Sequence, residues 1–174
     1  MFIYINSSNS LRKVREMALS SKLVAQIALL SALSGVGAFV PIPSPVGSIA
    51  LDSAPGYFAA LAYGPLSGAL ICAIGHVISA ARAGYPLGVI HVLVMLLMAA
   101  VGALTALVSK RKGPALGLAV GVTINTMGAP LAVPIFGWGI LPILLPLLFL
   151  ASLVNAMLAG AAFKAIKRSR TLLR

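Results

Sequence analysis

The sequence has very few acidic residues. Only two carboxylate side chains, Glu16 and Asp52, occur among 174 residues, and charged residues of both signs make up 9% of the chain. A single cysteine, Cys72, excludes a disulfide or a cysteine metal cluster within the chain. With so few possible ligands, metal-assisted chemistry is not expected. The sequence therefore predicts neither a resident metal nor a cofactor.

Motifs of common enzymes are also missing. The sequence contains no G-x-x-x-x-G-K-[ST] phosphate loop, no H-E-x-x-H and no G-x-S-x-G. We therefore predict that the chain is not an enzyme. The alternative left open is a membrane enzyme that pairs Ser79 with His76, or Ser53 with His91.

Apolar sequence dominates instead. Hydrophobic residues make up 60% of the chain and the mean hydropathy is +1.08, which is typical of an integral membrane protein. The net charge is +11, but the basic residues are not interleaved with aromatic residues as in nucleic-acid-binding surfaces. We expect the lipid bilayer, and no nucleic acid, as the environment of this protein.

The basic residues predict the topology. They form three clusters, and if all three are cytoplasmic, the number of spans between successive clusters must be even. Four spans fit before the second cluster and two after it, at roughly 20 residues each. The predicted fold is an all-α membrane protein, a six-helix transmembrane bundle with both termini cytoplasmic. The clusters are Arg12, Lys13, Arg15 and Lys22; Lys110, Arg111 and Lys112; and Lys164, Lys167, Arg168, Arg170 and Arg174.

The predicted domain organisation follows from these clusters. Residues 1–21 form a cytoplasmic segment, residues 22–168 the six-helix substrate-binding domain, and residues 169–174 a cytoplasmic tail. The first apolar run, residues 23–40, follows basic residues as in a signal peptide. It is long enough to span a bilayer core and no small-x-small site follows it, so we expect it to be retained. Met17 is a candidate alternative start.

Proline and glycine mark the connections between the helices. The second helix, roughly Ile49 to Tyr63, is short and carries Pro55 and Gly56 near its outer end. Such a pattern is typical of a helix bent around a binding site, with ordinary kinking as the alternative. The predicted connections are Pro41 to Gly47 outside, Gly64-Pro65 inside, Arg82 to Gly88 outside and Pro134 to Pro142 outside.

Asp52 and Arg82 are the two charges predicted at the outer end. No other formal charge lies between Lys22 and Arg82, and a lone carboxylate in apolar sequence usually has a function. The two side chains could pair with each other or hold opposite ends of a polar ligand. The alternative is a structural ion pair or two snorkelling charges.

Four further polar residues lie in predicted helices. His76 is predicted near mid-membrane and His91 just under the outer surface, whereas Asn125 and Asn155 fall within the fifth and sixth helices. An unpaired amide is costly there, so hydrogen bonding between helices is the simplest interpretation. The alternative is that these side chains line a pocket.

Aromatic and small residues offer two further signals. Tyr57, Tyr85 and Trp138 belong to the predicted outer end, where they form either an aromatic belt or a stacking wall for a flat ligand. The first helix carries Ala28-x-x-x-Ala32 and Ser31-x-x-x-Gly35, spacings that allow another helix to approach closely.

Several pieces together resemble the substrate-binding S components of energy-coupling factor (ECF) transporters. The pieces are Gly47-Ser-Ile-Ala-Leu-Asp-Ser-Ala-Pro55, Tyr63-Gly-Pro-Leu-Ser-Gly-Ala-Leu70, Gly75-His76 and Gly84-Tyr-Pro-Leu-Gly-Val-Ile-His91. They are most similar to the subgroup for α-ribazole, a cobalamin precursor. S components for pantothenate, pyridoxine or hydroxymethylpyrimidine share similar turns.

The resemblance implies a function. An S component in a prokaryotic plasma membrane captures a vitamin at the outer face, topples to release it inside, and docks on a T component that is driven by two ATPase subunits. Ala28 and Ala32 match the docking motif in position. The alternative is a self-sufficient, proton-coupled carrier that uses Asp52 or His76 as its relay. The implied pocket residues are Asp52, His76, Arg82, Tyr85, His91, Asn125, Trp138 and Asn155.

Overall fold

The computed structural model describes residues 7–172, with side chains from residue 21 to residue 169, and it is helical nearly throughout. Short 3-10 turns at Gly88–Ile90, Ala129–Ala132 and Trp138–Ile140 complete the outer connections. The predicted helical bundle is confirmed. The helices are α1 (Ser7–Ala38), α2 (Ala54–Ala62), α3 (Pro65–Arg82), α4 (His91–Lys112), α5 (Pro114–Thr126), α6 (Val133–Phe136) and α7 (Leu141–Leu172).

Among the described residues, five helical segments are long and apolar enough to cross a membrane: Ser21–Ala38, Pro65–Arg82, Gly88–Lys112, Pro114–Phe136 and Trp138–Ser169. The remaining predicted span, α2, has only 9 residues. Since it follows a long irregular connection, it completes one pass of the chain together with residues 39–53. The helix α1 continues without a break through residue 21, and the domain boundaries at residues 21 and 168 stay predictions.

The start predicted for the second helix, near Ile49, is wrong by five residues. The helix begins at Ala54, with Ser53 as its N-cap residue and Pro55 in its first turn. Proline is tolerated there because the first amide groups of a helix have no partner within it. Pro55 therefore begins α2 rather than kinking it.

Glycine-proline pairs make the two turns on the basic side. Gly64 (φ +100°) and Gly113 (φ +94°) adopt left-handed conformations that side chains disfavour, and a proline opens the next helix in each case. Lys110, Arg111 and Lys112 occupy the last turn of α4, where positive charge complements the helix dipole. We call the end of the bundle away from these lysines the outer end.

The helices α3 and α4 cross in backbone contact. A Cβ atom added at Gly102 would overlap the carbonyl group of Gly68, and one at Gly68 would meet the carbonyl oxygen of Gly102. Small residues allow such an approach, and close packing is a principal source of helix association in membranes. This crossing fixes α3, which carries His76, against α4, which begins at His91.

Two apolar clusters fill the bundle. The outer cluster joins residues from all three outer connections to α7: Val46, Ile49, Leu87, Ala129, Ala132, Ile140, Leu144 and Ala151. The second cluster lies deeper and contains Tyr57, Cys72, Met98, Val101, Val122, Ala156 and Ala159. Tyr57 is fully buried, and its hydroxyl group lies 2.7 Å from the Ser152 hydroxyl group. The aromatic-belt interpretation is therefore wrong for Tyr57.

Candidate functional site

A cavity lies at the outer end of the bundle, between the deeper cluster and the outer connections. The cavity volume is about 70 Å³. Its walls are mostly apolar and include Val94, Met98 and Leu144. Seven polar residues line it: Ser48, Asp52, Ser53, His76, Asn125, Ser152 and Asn155.

Two irregular stretches contribute to the cavity wall from the outer end. The first covering segment, residues 41–51, folds back on itself through an Ile42 N–H to Ile49 carbonyl hydrogen bond of 2.9 Å and lines the cavity with Val46, Ser48, Ile49 and Ala50. The second covering segment, residues 83–90, lines it with Leu87.

Asp52 is the only charged residue in the described cavity lining. It is 5% exposed and directly follows the first covering segment. Its Oδ1 accepts a 2.8 Å hydrogen bond from the Ser53 hydroxyl group.

Asn155 lines the cavity, but its amide group already has four hydrogen bonds. Oδ1 accepts from the backbone N–H groups of Ser53 (3.1 Å) and Ala54 (2.8 Å), at the start of α2. Nδ2 donates to the carbonyl oxygens of Ala50 (3.2 Å) and Ala151 (2.9 Å). This uses the full capacity of an amide side chain. Asn155 thus holds the segment that carries Asp52 in place.

Asn125 has the opposite environment. It lies near the end of α5, is half-buried and lines the cavity. Its side chain makes no hydrogen bond to the described part of the chain, whereas the neighbouring Thr126 hydroxyl group bonds its own helix at Val122. The Asn125 amide is therefore available to a molecule in the cavity.

His76 and His91 contact each other across the α3–α4 interface. His76 Nε2 lies 3.1 Å from His91 Nδ1, and His91 Nε2 accepts the Leu87 backbone N–H at 3.2 Å. The two histidines therefore share one depth, contrary to the predicted mid-membrane position of His76. Only His76 lines the cavity. Neither Ser53 nor Ser79 hydrogen-bonds a histidine, so the serine–histidine enzyme alternative has no support in the geometry.

Besides His91, three predicted pocket residues lie outside the cavity lining. Arg82 Nη2 donates a 2.8 Å hydrogen bond to the Gly47 carbonyl oxygen, and the predicted pairing with Asp52 does not form in the described part of the chain. Tyr85 is 45% exposed and packs edge-on against the His91 ring. Trp138 is 75% exposed. The backbone turn at Gly137, φ +75°, precedes Trp138.

Sequence reasoning missed several lining residues. Leu87 lies in the Pro-Leu-Gly sequence of the second outer connection, which predicts a turn but does not indicate a cavity-lining residue. Ser48 stands likewise in the piece that begins at Gly47. The apolar wall of Val94, Met98 and Leu144 has no local signal, because these residues resemble every other apolar residue of their helices.

The predicted docking residues lie on a lipid-facing surface of α1. Ala28 and Ala32 are exposed, as are the neighbouring large side chains of Leu29 and Leu33. Ser31 and Ser34 are buried on the other side of the helix, and Gly35 lies against Ile78. The Ser31-x-x-x-Gly35 spacing therefore faces the bundle, whereas Ala28-x-x-x-Ala32 faces outward.

Comparison with known proteins agrees with this arrangement. No curated protein and no solved structure matches the chain. A family model for the substrate-specific component of ECF transporters matches residues 22–112, more than half of the chain. That match contains α2, α3, α4, both covering segments and the three polar residues Asp52, His76 and His91. The family is a transporter binding component rather than a class of enzyme, and the chain, a multi-pass membrane protein, belongs to this family of substrate-specific ECF components.

Proposed function

We propose that this protein captures α-ribazole, or a closely similar uncharged vitamin precursor, at the outer face of a prokaryotic plasma membrane. The observation that carries the proposal is the Asp52 carboxylate in a mostly apolar cavity under two covering segments. Binding sites of this kind use a few polar groups for orientation and apolar walls for affinity. A carboxylate accepts hydrogen bonds from ligand hydroxyl groups, and α-ribazole offers several on its ribose.

Charge separates the candidate vitamins. The described cavity lining contains one carboxylate and no lysine or arginine, and Arg82 is bonded to Gly47. An anionic ligand such as pantothenate would place a second negative charge beside Asp52 in a low-dielectric site, which is unfavourable. Uncharged α-ribazole, pyridoxine and hydroxymethylpyrimidine avoid this cost. The resemblance of the quoted sequence pieces favours α-ribazole among them.

The cavity must enlarge to receive such a ligand. Small-molecule pockets typically have volumes of about 300–1,000 Å³, whereas the volume of this cavity is about 70 Å³. The covering segments are the elements able to move, since both are irregular connections. Capture therefore combines entry from the outer end with displacement and closure of residues 41–51 and 83–90.

Ligand binding by the purified protein tests the proposal. Native mass spectrometry identifies a co-purified molecule, and calorimetry compares α-ribazole with pantothenate. We expect Asp52→Asn and Asn125→Ala each to weaken α-ribazole binding at least about tenfold. Thr123→Ala is the matched control, because the Thr123 hydroxyl group bonds its own helix at Ala119. Unchanged affinity in both variants, or tighter binding of pantothenate, would contradict the proposal.

Release into the cell is proposed to need an ECF T component and two ATPase subunits. The outward-facing Ala28 and Ala32 support this assignment, because their small side chains let a partner helix approach closely. Ala28→Trp and Ala32→Trp should abolish uptake and co-purification with the T component while leaving ligand affinity intact. Ion-driven uptake in cells without the ATPase subunits would favour a self-sufficient carrier instead.

A further inference from the structure

One backbone amide and two histidine rings form a continuous chain of hydrogen bonds at the cavity wall. The Leu87 N–H lies 3.2 Å from His91 Nε2, and His91 Nδ1 lies 3.1 Å from His76 Nε2. Leu87 belongs to the second covering segment, and His76 lines the cavity. The chain thus runs from a covering segment, through a buried ring, to the ligand space.

The direction of these hydrogen bonds follows from the amide. A backbone N–H can only donate, so His91 Nε2 accepts and carries no proton. The neutral His91 ring then has its proton on Nδ1 and donates to His76 Nε2. His76 Nε2 accepts in turn, which leaves the His76 proton on Nδ1. A cationic His76 would instead turn an N–H group toward the N–H group of His91.

We propose that His91 is a positioning residue that fixes His76 as a hydrogen-bond donor to the ligand. His76 Nδ1 makes no hydrogen bond to the described part of the chain, so its N–H group is free for a molecule in the cavity. Asp52 supplies an acceptor in the same cavity. The site therefore selects an uncharged ligand that accepts a hydrogen bond at His76 and donates one at Asp52. This selection rests on the proposed capture function.

The same geometry links recognition to closure. His91 is buried at the end of the second covering segment, with the Tyr85 ring 5.6 Å away from its own ring centre. When this segment moves, His91 Nε2 loses the Leu87 amide and the preference for one tautomer weakens. His76 is then no longer fixed as a donor. The cavity presents its complete hydrogen-bonding pattern only when the covering segment is in place.

Nitrogen NMR of the histidine rings tests the assignment without any ligand. The chain has only two histidines, so a protein labelled with ¹⁵N-histidine and purified without a histidine tag gives four ring-nitrogen signals. His76→Gln assigns them. In bilayer nanodiscs at neutral pH we expect both rings to be neutral with the proton on Nδ1. A proton on Nε2 of either ring, or a cationic ring, would overturn the proposal.

Two substitutions of His91 test its effect on binding, with α-ribazole as the probe. The amide of His91→Asn can still donate to His76 Nε2, whereas His91→Leu cannot. We expect His91→Asn to weaken binding about threefold and His91→Leu at least about tenfold, with equal helical content by circular dichroism. Equal losses of α-ribazole affinity in the two variants would overturn the proposal. If the unaltered protein does not bind α-ribazole, the proposed function fails, while the NMR spectrum still decides the tautomers.

Discussion

Arg82 Nη2 donates a 2.8 Å hydrogen bond to the carbonyl oxygen of Gly47, which joins the end of α3 to the first covering segment. The bond is exposed and lies outside the cavity lining. We therefore expect it to act on the closure of the site rather than on the contacts with the ligand.

Loss of this link should speed ligand exchange. We expect Arg82→Ala to raise both the association and the dissociation rate of the ligand by roughly threefold to tenfold, because one hydrogen bond of the closed form is lost. Stopped-flow binding measures both rates. Arg82→Lys is the control, since it keeps the positive charge near Asp52 but not the geometry of the guanidinium group. Unchanged rates in Arg82→Ala would show that this bond does not restrain the segment.

Asp52→Asn should weaken ligand binding and at the same time stabilise the ligand-free protein. Burial of a carboxylate is costly, Asp52 is only 5% exposed, and the substitution removes the charge. We expect a higher melting temperature than for the unaltered protein at neutral pH. The reaction of the single buried thiol, Cys72, with a fluorogenic maleimide reports unfolding.

The two asparagines of the cavity should respond differently to substitution. Asn155→Ala leaves buried backbone groups of Ser53 and Ala54 without partners, and we expect a loss of about 2–5 kcal/mol in unfolding free energy. Asn125→Ala breaks no hydrogen bond in the described part of the chain and should reduce affinity alone. Equilibrium unfolding in detergent and calorimetry separate the two effects. Equal stability of both variants would contradict the capping function of Asn155.

The helix crossing at Gly68 and Gly102 allows a test of packing. Gly102→Ala forces a methyl group against the Gly68 carbonyl group, and we expect a loss of about 1–3 kcal/mol. Gly139→Ala is the matched control, because nothing lies within 4 Å of the added atom. Maleimide labelling of Cys72 at rising temperature measures the thermal stability of both variants. If the two variants unfold alike, α3 and α4 approach less closely than described.

Trp138 offers a test of the stacking hypothesis. Its side chain is 75% exposed and lies outside the described cavity lining, so Trp138→Ala should change ligand affinity less than about twofold. Calorimetry of the variant decides the point. A loss of tenfold or more would mean that the ring moves onto the ligand when the covering segments close.

The sequence was sufficient for features that rest on local chemistry. Basic clusters, apolar runs and glycine-proline pairs predicted the helices on each side of Gly64 and Gly113, and the lone charge identified Asp52. The predicted start of α2 was wrong because the largely apolar sequence after Ile49 does not distinguish an irregular stretch from a helix. Its conformation depends on contacts with residues elsewhere in the chain, including Asn155 and Ile42.

Contacts between distant residues could not be predicted. His76 is predicted near mid-membrane, whereas it lies six residues before the end of α3 and contacts His91, the first residue of α4. Asn155 is predicted as a pocket residue, but its four hydrogen bonds go to backbone groups. Three of these groups lie about 100 residues away in the sequence, so no local pattern reveals the contacts. The tautomers of the two rings likewise depend on the position of Leu87, which no helix pattern specifies.

The contact between Asn155 and the start of α2 has a consequence for biosynthesis. Ser53 and Asn155 are 102 residues apart, and Asn155 stands on α7, which is translated after the other described helices. Until that helix inserts, the polar backbone around Asp52 has no cap inside the bilayer, where unsatisfied amides are costly. The ligand site is therefore completed only after α7 has been translated and inserted, and a nascent chain truncated before α7 should be recognised by membrane quality control as unfinished.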